Sequence, residues 1–165
     1  MNKKIAIGAA IIIIFDQIIK YLISTKLPLD ESIPIIQNFF AITYVQNLGA
    51  AWSILSGNRY LLIIIAIFCL GAIYFCLIKR KNLTRLEAIS YSALIGGIIG
   101  NLIDRILYGY VIDYLNFYIL DYNFPVFNLA DICIVVSIFL IMIMTIKGSD
   151  ISNEEKSRNR HTPKN

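Results

Sequence analysis

Apolar residues along this chain gather into four blocks, separated by short polar segments. A bilayer core takes about 20 apolar residues as a helix, and each block comes close to that length. The first runs from about Ile5 to Ile23 and holds the run Ile11-Ile12-Ile13-Ile14-Phe15, followed by Asp16 and Lys20. The second, from about Tyr60 to Ile78, has no charge at all. The third, from about Leu86 to Leu107, is rich in Gly and Ile and ends in Asp104 and Arg105. The fourth, from about Leu129 to Ile146, carries Asp131 near its start. The first block is too long and too interrupted by charge for a cleaved signal peptide, and it lacks a small-residue cleavage site. Between the first two blocks, Phe39-Phe40-Ala41-Ile42-Thr43-Tyr44-Val45 is aromatic and β-branched, which predicts a short sheet-like platform at the membrane surface. The stretch from Tyr108 to Asn128 is dense in Tyr and Phe, residues suited to the headgroup layer. The expected fold class is an all-α membrane protein with four transmembrane helices and a small extracytoplasmic β-platform between helices 1 and 2. Residues 148–165 are polar and are expected to form a disordered tail.

Composition narrows the function classes. Of 165 residues, 58% are hydrophobic and 16% charged, and the mean hydropathy is +0.69. An ordinary soluble domain has roughly 45–50% and about 25%, so a disordered chain, a basic nucleic-acid-binding domain and a typical soluble enzyme are excluded. The net charge of +4 is a matter of topology. Eleven of the 15 basic residues lie in three segments: Lys3 and Lys4; Lys79, Arg80, Lys81 and Arg85; and Lys147, Lys156, Arg158, Arg160 and Lys164. With four spans all three fall on one side, the cytoplasmic side by the positive-inside rule. Both termini are therefore expected in the cytoplasm. Asp30, Glu31, Asp104, Asp113, Asp121 and Asp131 gather on the other side. The lone histidine, His161, sits in the polar tail, so a catalytic triad or a histidine-built metal site would have to use it. Cys69, Cys76 and Cys133 lie in apolar runs without a CxxC pair and read as small buried hydrophobes.

An ionisable group in or near a span is a functional candidate. Asp16 and Lys20, four apart, share a helix face and can pair to hold helix 1 to its neighbours. Asn47-Leu48-Gly49-Ala50-Ala51-Trp52-Ser53 is a small-residue stretch: a tight packed loop, or one in which Asn47 offers its amide to a peptide. In Gly96-Gly97-Ile98-Ile99-Gly100-Asn101, the glycines at 96 and 100 form a GxxxG, which suits an internal helix contact as well as a dimer. Asn101 and Arg105 follow on one face, either binding a substrate or forming a packing face with a snorkelling arginine. Asp113 lies in the apolar context Val111-Ile112-Asp113-Tyr114, and Asp131 lies three residues after Asn128. Asp113 can cap a helix and Asp131 can pair with Arg105. Alternatively, the two form a dyad in a low-dielectric cleft, where one carboxylate stays charged and the other holds a proton. Such a pair can activate water against an amide: the charged member takes the water proton, and the neutral one donates to the carbonyl oxygen.

Taken in order, these motifs resemble the bacterial lipoprotein signal peptidases (signal peptidase II). The matching residues are Asp16-Gln17 with Lys20; Asn47 with Gly49-Ala50-Ala51 and Ser53; Gly96-Gly97 with Gly100-Asn101 and Asp104-Arg105; Val111 with Asp113; and Phe127-Asn128 with Ala130-Asp131. They cover about Ala10 to Ile146. The resemblance implies a four-helix transmembrane aspartic peptidase domain over residues 1–147, in the bacterial cytoplasmic membrane, with its active site at the outer face. It implies a reaction that removes the signal peptide from prolipoproteins, cutting before a diacylglyceryl-modified cysteine. Asp113 and Asp131 match the catalytic pair. Asn47, Gly49, Asn101, Arg105 and Asn128 match substrate-pocket positions, and Asp16, Lys20 and Asp104 match supporting ones. Trp52 and Tyr114 stand where the family usually has Phe, which retains an aromatic at each. Lipid-modified prolipoproteins and membrane lipids are the expected partners. No nucleic acid, metal or cofactor is expected, and a monomer is the default state. The alternative is a small proton- or ion-coupled transporter relaying through Asp16, Lys20 and the aspartates, although the inner half of the bundle is nearly pure Ile and Leu. A Ser-Lys peptidase using Lys20 with Ser24 or Ser53 and a structural membrane subunit are further rivals.

Overall fold

The structure is a computed structural model that describes residues 3–50, 54–80, 83–119 and 122–161, with side chains described up to Lys147 except that of Asn123. Ala51, Trp52, Ser53, Lys81, Asp121 and Lys164, named in the sequence analysis, lie outside the described residues. Four helices form the body: α1 (Lys3–Lys26), α2 (Arg59–Ile78), α3 (Arg85–Leu107) and α4 (Leu129–His161). Each is long and apolar enough to cross a membrane, α4 over Leu129–Lys147. Helix is the natural state of such segments, because hydrocarbon offers no partner to an open backbone amide. The backbone of α4 continues as helix to His161, into the segment expected to be disordered; no proline interrupts it before Pro163.

The third helix is the hub. Half of its membrane window is buried, against 11–22% for the other three. Glycine makes this possible, because a Cβ at Gly97 would lie 2.5 Å from the Ala130 carbonyl oxygen and one at Gly96 would lie 2.9 Å from Ile12 Cβ. So α3 packs closely on α4 through one glycine and on α1 through the other, the internal use of small residues. At one end of the bundle Ile5, Ala9, Leu77, Tyr91 and Ile95 form a buried cluster. The start of α3 there is closed by a capping box between Thr84 and Glu87, and Glu87 also pairs with Arg80.

The opposite end carries an antiparallel sheet of order β1-β2-β3-β4: β1 (Ser32–Ile36), β2 (Phe40–Asn47), β3 (Val111–Ile119) and β4 (Tyr122–Asn123). The hairpin β1–β2 is the platform expected between helices 1 and 2. It turns through Asn38, whose φ of 57° asparagine tolerates. The aromatic stretch after α3 extends this platform instead of lying as a loop, with Asp113 opposite Val45 and Asn47 opposite Val111. Asp113 therefore caps no helix; it sits inside a strand. Gly109 makes the turn from α3 into β3 at φ 89°, and a side chain there would also meet Arg59. Phe117 stacks on Phe40 and Phe127, with ring centroids 4.7 and 5.7 Å apart. Backbone bonds between Leu115 and Phe127 then tie β3 to the residue just before Asn128. The start of α4 is thus fixed against the strand that carries Asp113.

Candidate active site

Where α1, α3, α4 and the sheet meet, a set of polar side chains is almost wholly buried: Asp16, Lys20, Asn101, Asp104, Asp113 and Asn128. Asp131 joins them as a half-buried residue. Burial of so many polar groups is tolerable only if each finds partners.

Asn128 precedes the first residue of α4, and Asp131 is the third residue of that helix. The Asp131 backbone N–H donates to Asn128 Oδ1 at 2.9 Å, and the Asn128 backbone N–H donates to Asp131 Oδ2 at 3.2 Å. This is a reciprocal capping box, and the helix dipole favours a carboxylate in the first turn. The Asn128 amide Nδ2 also donates to Asp113 Oδ1 at 2.6 Å. One asparagine therefore touches both aspartates.

Two further amides complete the setting. Asn47 Nδ2 donates to Asp113 Oδ2 at 2.8 Å, while Asn47 Oδ1 accepts the Gly49 N–H at 2.9 Å. Asn101 Nδ2 donates to Asp131 Oδ1 at 2.7 Å. Each amide thus has its oxygen held by a group that can only donate, which turns its NH2 toward a carboxylate. Arg105 does not pair with Asp131. Its guanidinium donates to the carbonyl oxygens of Gly49 at 2.7 Å and Asn101 at 3.3 Å, so it ties the Asn47–Gly49 loop to α3. Burial raises the Asp113 carboxyl to about 7, and the charge of Asp131 adds to this. The Asn47 and Asn128 hydrogen bonds and the Lys20 charge pull the other way. Tyr114 follows on the strand, its hydroxyl accepting the Leu129 N–H at 3.1 Å; burial pushes its own ionisation up.

Beneath this pair lies the charged support. Lys20 Nζ contacts Asp16 Oδ2 at 2.9 Å, Asp104 Oδ2 at 2.8 Å and Asn101 Oδ1 at 2.9 Å. An ammonium has three protons and no acceptor, and all three are engaged. Lys20 therefore has no free lone pair for a Ser-Lys dyad. Asp104 also accepts Gln17 Nε2 at 2.9 Å and the Ile112 N–H at 3.2 Å, and Asp16 accepts the Ala130 N–H at 3.2 Å. Gln17 stands beside Asp16 in the quoted motif, but sequence reading gave it no role; its contact with Asp104 spans 87 positions, which no local pattern reveals. The capping box was readable, since Asn128-Leu129-Ala130-Asp131 before an apolar run is a helix-start signature.

The fold and site define a multi-pass membrane protein with two aspartates, one buried and one half-buried, bridged by Asn128 at one end of its bundle. The family model for signal peptidase (SPase) II matches residues 8–147. The lipoprotein signal peptidases of Staphylococcus aureus strains JH9 and Newman are 40% identical over 161 residues, covering 94% of this chain and 98% of theirs. A solved bacterial membrane enzyme at 2.3 Å resolution superposes with a TM-score of 0.83 at 36% identity, covering 90% of this chain and 91% of its own. Another, at 1.9 Å, gives 0.79 at 37% identity, with 89% and 95% covered. The chain belongs to the signal peptidase II family and is a peptidase. That membership gives the transporter alternative no support.

Proposed function

We propose that this chain is an aspartic endopeptidase that removes the signal peptide of prolipoproteins, cutting before the diacylglyceryl-modified cysteine, with Asp113 and Asp131 as the catalytic pair. The observation that carries this reading is the Asn128 bridge, which holds both carboxylates in one buried setting. Burial raises Asp113 to about 7, and we assign the charge to Asp131, which sits in the first turn of α4 where the helix dipole favours a carboxylate. Asp131 takes a proton from water, the resulting hydroxide attacks the scissile carbonyl, and Asp113 donates its proton to the developing oxyanion. Return of a proton to the leaving amine completes the cleavage. Asn47, Asn101 and Asn128 keep both carboxylates aimed, and preorganised donors of this kind contribute at the transition state. Arg105 and Gly49 shape the loop beside them.

The enzyme sits as a monomer in the bacterial cytoplasmic membrane, with both termini in the cytoplasm and the dyad at the outer face. The basic residues Arg80 and Arg85 at the end opposite the sheet support that orientation. A signal peptide spanning the bilayer presents its cleavage end at the sheet, while the lipid of the modified cysteine stays among the surrounding lipids. Residues 1–147 form the peptidase domain and residues 148–165 a cytoplasmic tail.

Direct water attack leaves no acyl-enzyme. Cleavage in the presence of hydroxylamine must yield only the free acid, and serine-directed reagents must leave the rate unchanged. A hydroxamate product, or inactivation by a serine reagent, contradicts the aspartic reading.

A further inference from the structure

Lys20 is the largest fully buried side chain among the described residues. Two of its contacts, Asp16 and Asp104, read as charge neutralisation. The third goes to the Asn101 oxygen, whose amide nitrogen holds Asp131. An asparagine amide has one accepting and one donating end, and a neighbour that can only donate decides which way it faces. Asn128 Nδ2 reaches the same Asn101 oxygen at 3.2 Å, so two donors act there in concert.

We infer that Lys20 is a positioning residue for peptide cleavage: it locks the Asn101 amide so that Nδ2 grips Asp131, and its charge favours the singly protonated over the doubly protonated dyad. The inference rests on the dyad reading above. The charged and titratable groups around Lys20 and the dyad are Asp16 on α1, Asp104 and Arg105 on α3, Asp131 on α4, and Asp113 and Tyr114 on β3. Of these only Arg105 is cationic, and its guanidinium is turned toward the Gly49 carbonyl. Lys20 is therefore the cation linked to the dyad through a single amide. Its field reaches Asp113 as well and holds that carboxyl lower than burial alone would leave it.

Removing Lys20 alone strands two buried carboxylates and endangers folding. The Lys20→Met/Asp16→Asn double variant removes one charge of each sign and keeps the net charge, leaving Asp104 with Gln17 and the Ile112 N–H. Purified wild type, this double variant, Asp16→Asn and Asp113→Asn are compared on a diacylglyceryl-modified precursor peptide from pH 4 to 9, with thermal unfolding for each. The expected result for the double variant is a kcat lowered on the order of 10- to 100-fold at nearly unchanged KM. Both limbs of its pH profile move up by about one unit. Asp16→Asn alone loses thermal stability and keeps the wild-type pH profile. If the double variant does not fold, the Lys20→Met/Asp104→Asn double variant, which removes the same cation and leaves Asp16 with Gln17 and the Ala130 N–H, must show the same kcat loss and shift. Whichever of these double variants folds, a wild-type profile and kcat overturns the proposal and leaves Lys20 a structural ion. Cleavage by folded Asp113→Asn would overturn the dyad reading instead, so the two failures are separable.

Discussion

Substituting Gly97 by alanine tests how tightly the site depends on helix spacing. The added Cβ would lie 2.5 Å from the Ala130 carbonyl oxygen, 2.9 Å from Ile134 Cγ1 and 3.3 Å from Cys133 Cβ. The nearest atom is backbone in the first turn of α4, so no side-chain rotation relieves it. Ordinary contact begins near 3.4 Å, so α4 must retreat by about 0.9 Å. The Asn101–Asp131 hydrogen bond spans those same two helices at 2.7 Å. Carried through in full, the retreat stretches it to about 3.6 Å, beyond a hydrogen bond. Overpacking costs about 1–3 kcal/mol, a lost bond to a charged group about 1.5–3, and alanine's helix preference returns about 1. The net is about 1.5–5 kcal/mol, or roughly 3–20 °C in Tm for a chain of this size. Displacing one carboxylate by about 1 Å lowers cleavage on the order of 100-fold. The assay is thermal unfolding and precursor cleavage in detergent, with Gly71→Ala as the partner variant. A Cβ at Gly71 meets nothing within 4 Å, so that variant keeps full activity and gains up to about 1 kcal/mol. If Gly97→Ala matches Gly71→Ala in both measurements, the close α3–α4 contact does not hold the site.

Three further outcomes follow from the geometry. Asp113 binds its proton more tightly in the folded protein, at about 7, than at its ordinary value of 3.8. Its contribution to stability is therefore complete below about pH 4 and is lost as pH rises through about 7. The Tm of wild type should fall relative to Asp113→Asn between pH 5 and 8, and kcat/KM should decline above about pH 7; a Tm difference independent of pH refutes the shift. Asn128→Ala removes the bridging amide and the α4 cap, costing about 1 kcal/mol in stability and on the order of 100-fold or more in kcat, as read by unfolding and steady-state kinetics. Thr84→Ala breaks the capping box at the far end of α3, which should cost about 1 kcal/mol and leave cleavage unchanged; an equal loss of activity would mean the two ends of the bundle are coupled.

The four helices were legible because hydrocarbon length and backbone satisfaction leave a long apolar run few alternatives. Observed ends such as Lys3–Lys26 and Arg85–Leu107 fall within a few residues of the expected ones. Strand β3 was not anticipated, although Val111–Ile119 is β-branched and aromatic, because its aromatics also suit a headgroup layer. What separates the two readings is the partner strand β2, some 70 residues earlier. Local spacing placed Asp16 with Lys20 and Asn128 with Asp131, and both pairs meet as expected. The Lys20–Asn101 and Asn47–Asp113 contacts span 81 and 66 positions, so only the folded chain brings them together. The Asp131–Arg105 alternative fails for the same reason: the Gly49 carbonyl offers Arg105 a partner that its own neighbourhood does not contain.

The most direct test of the central claim is cleavage of a diacylglyceryl-modified prolipoprotein by the purified protein, read by mass spectrometry for the site cut. Wild type should cut immediately before the lipid-bearing cysteine, and Asp113→Asn and Asp131→Asn, each shown folded by thermal unfolding, should give no product. Cleavage by either folded variant at the wild-type rate would contradict the assignment of this pair as the catalytic residues.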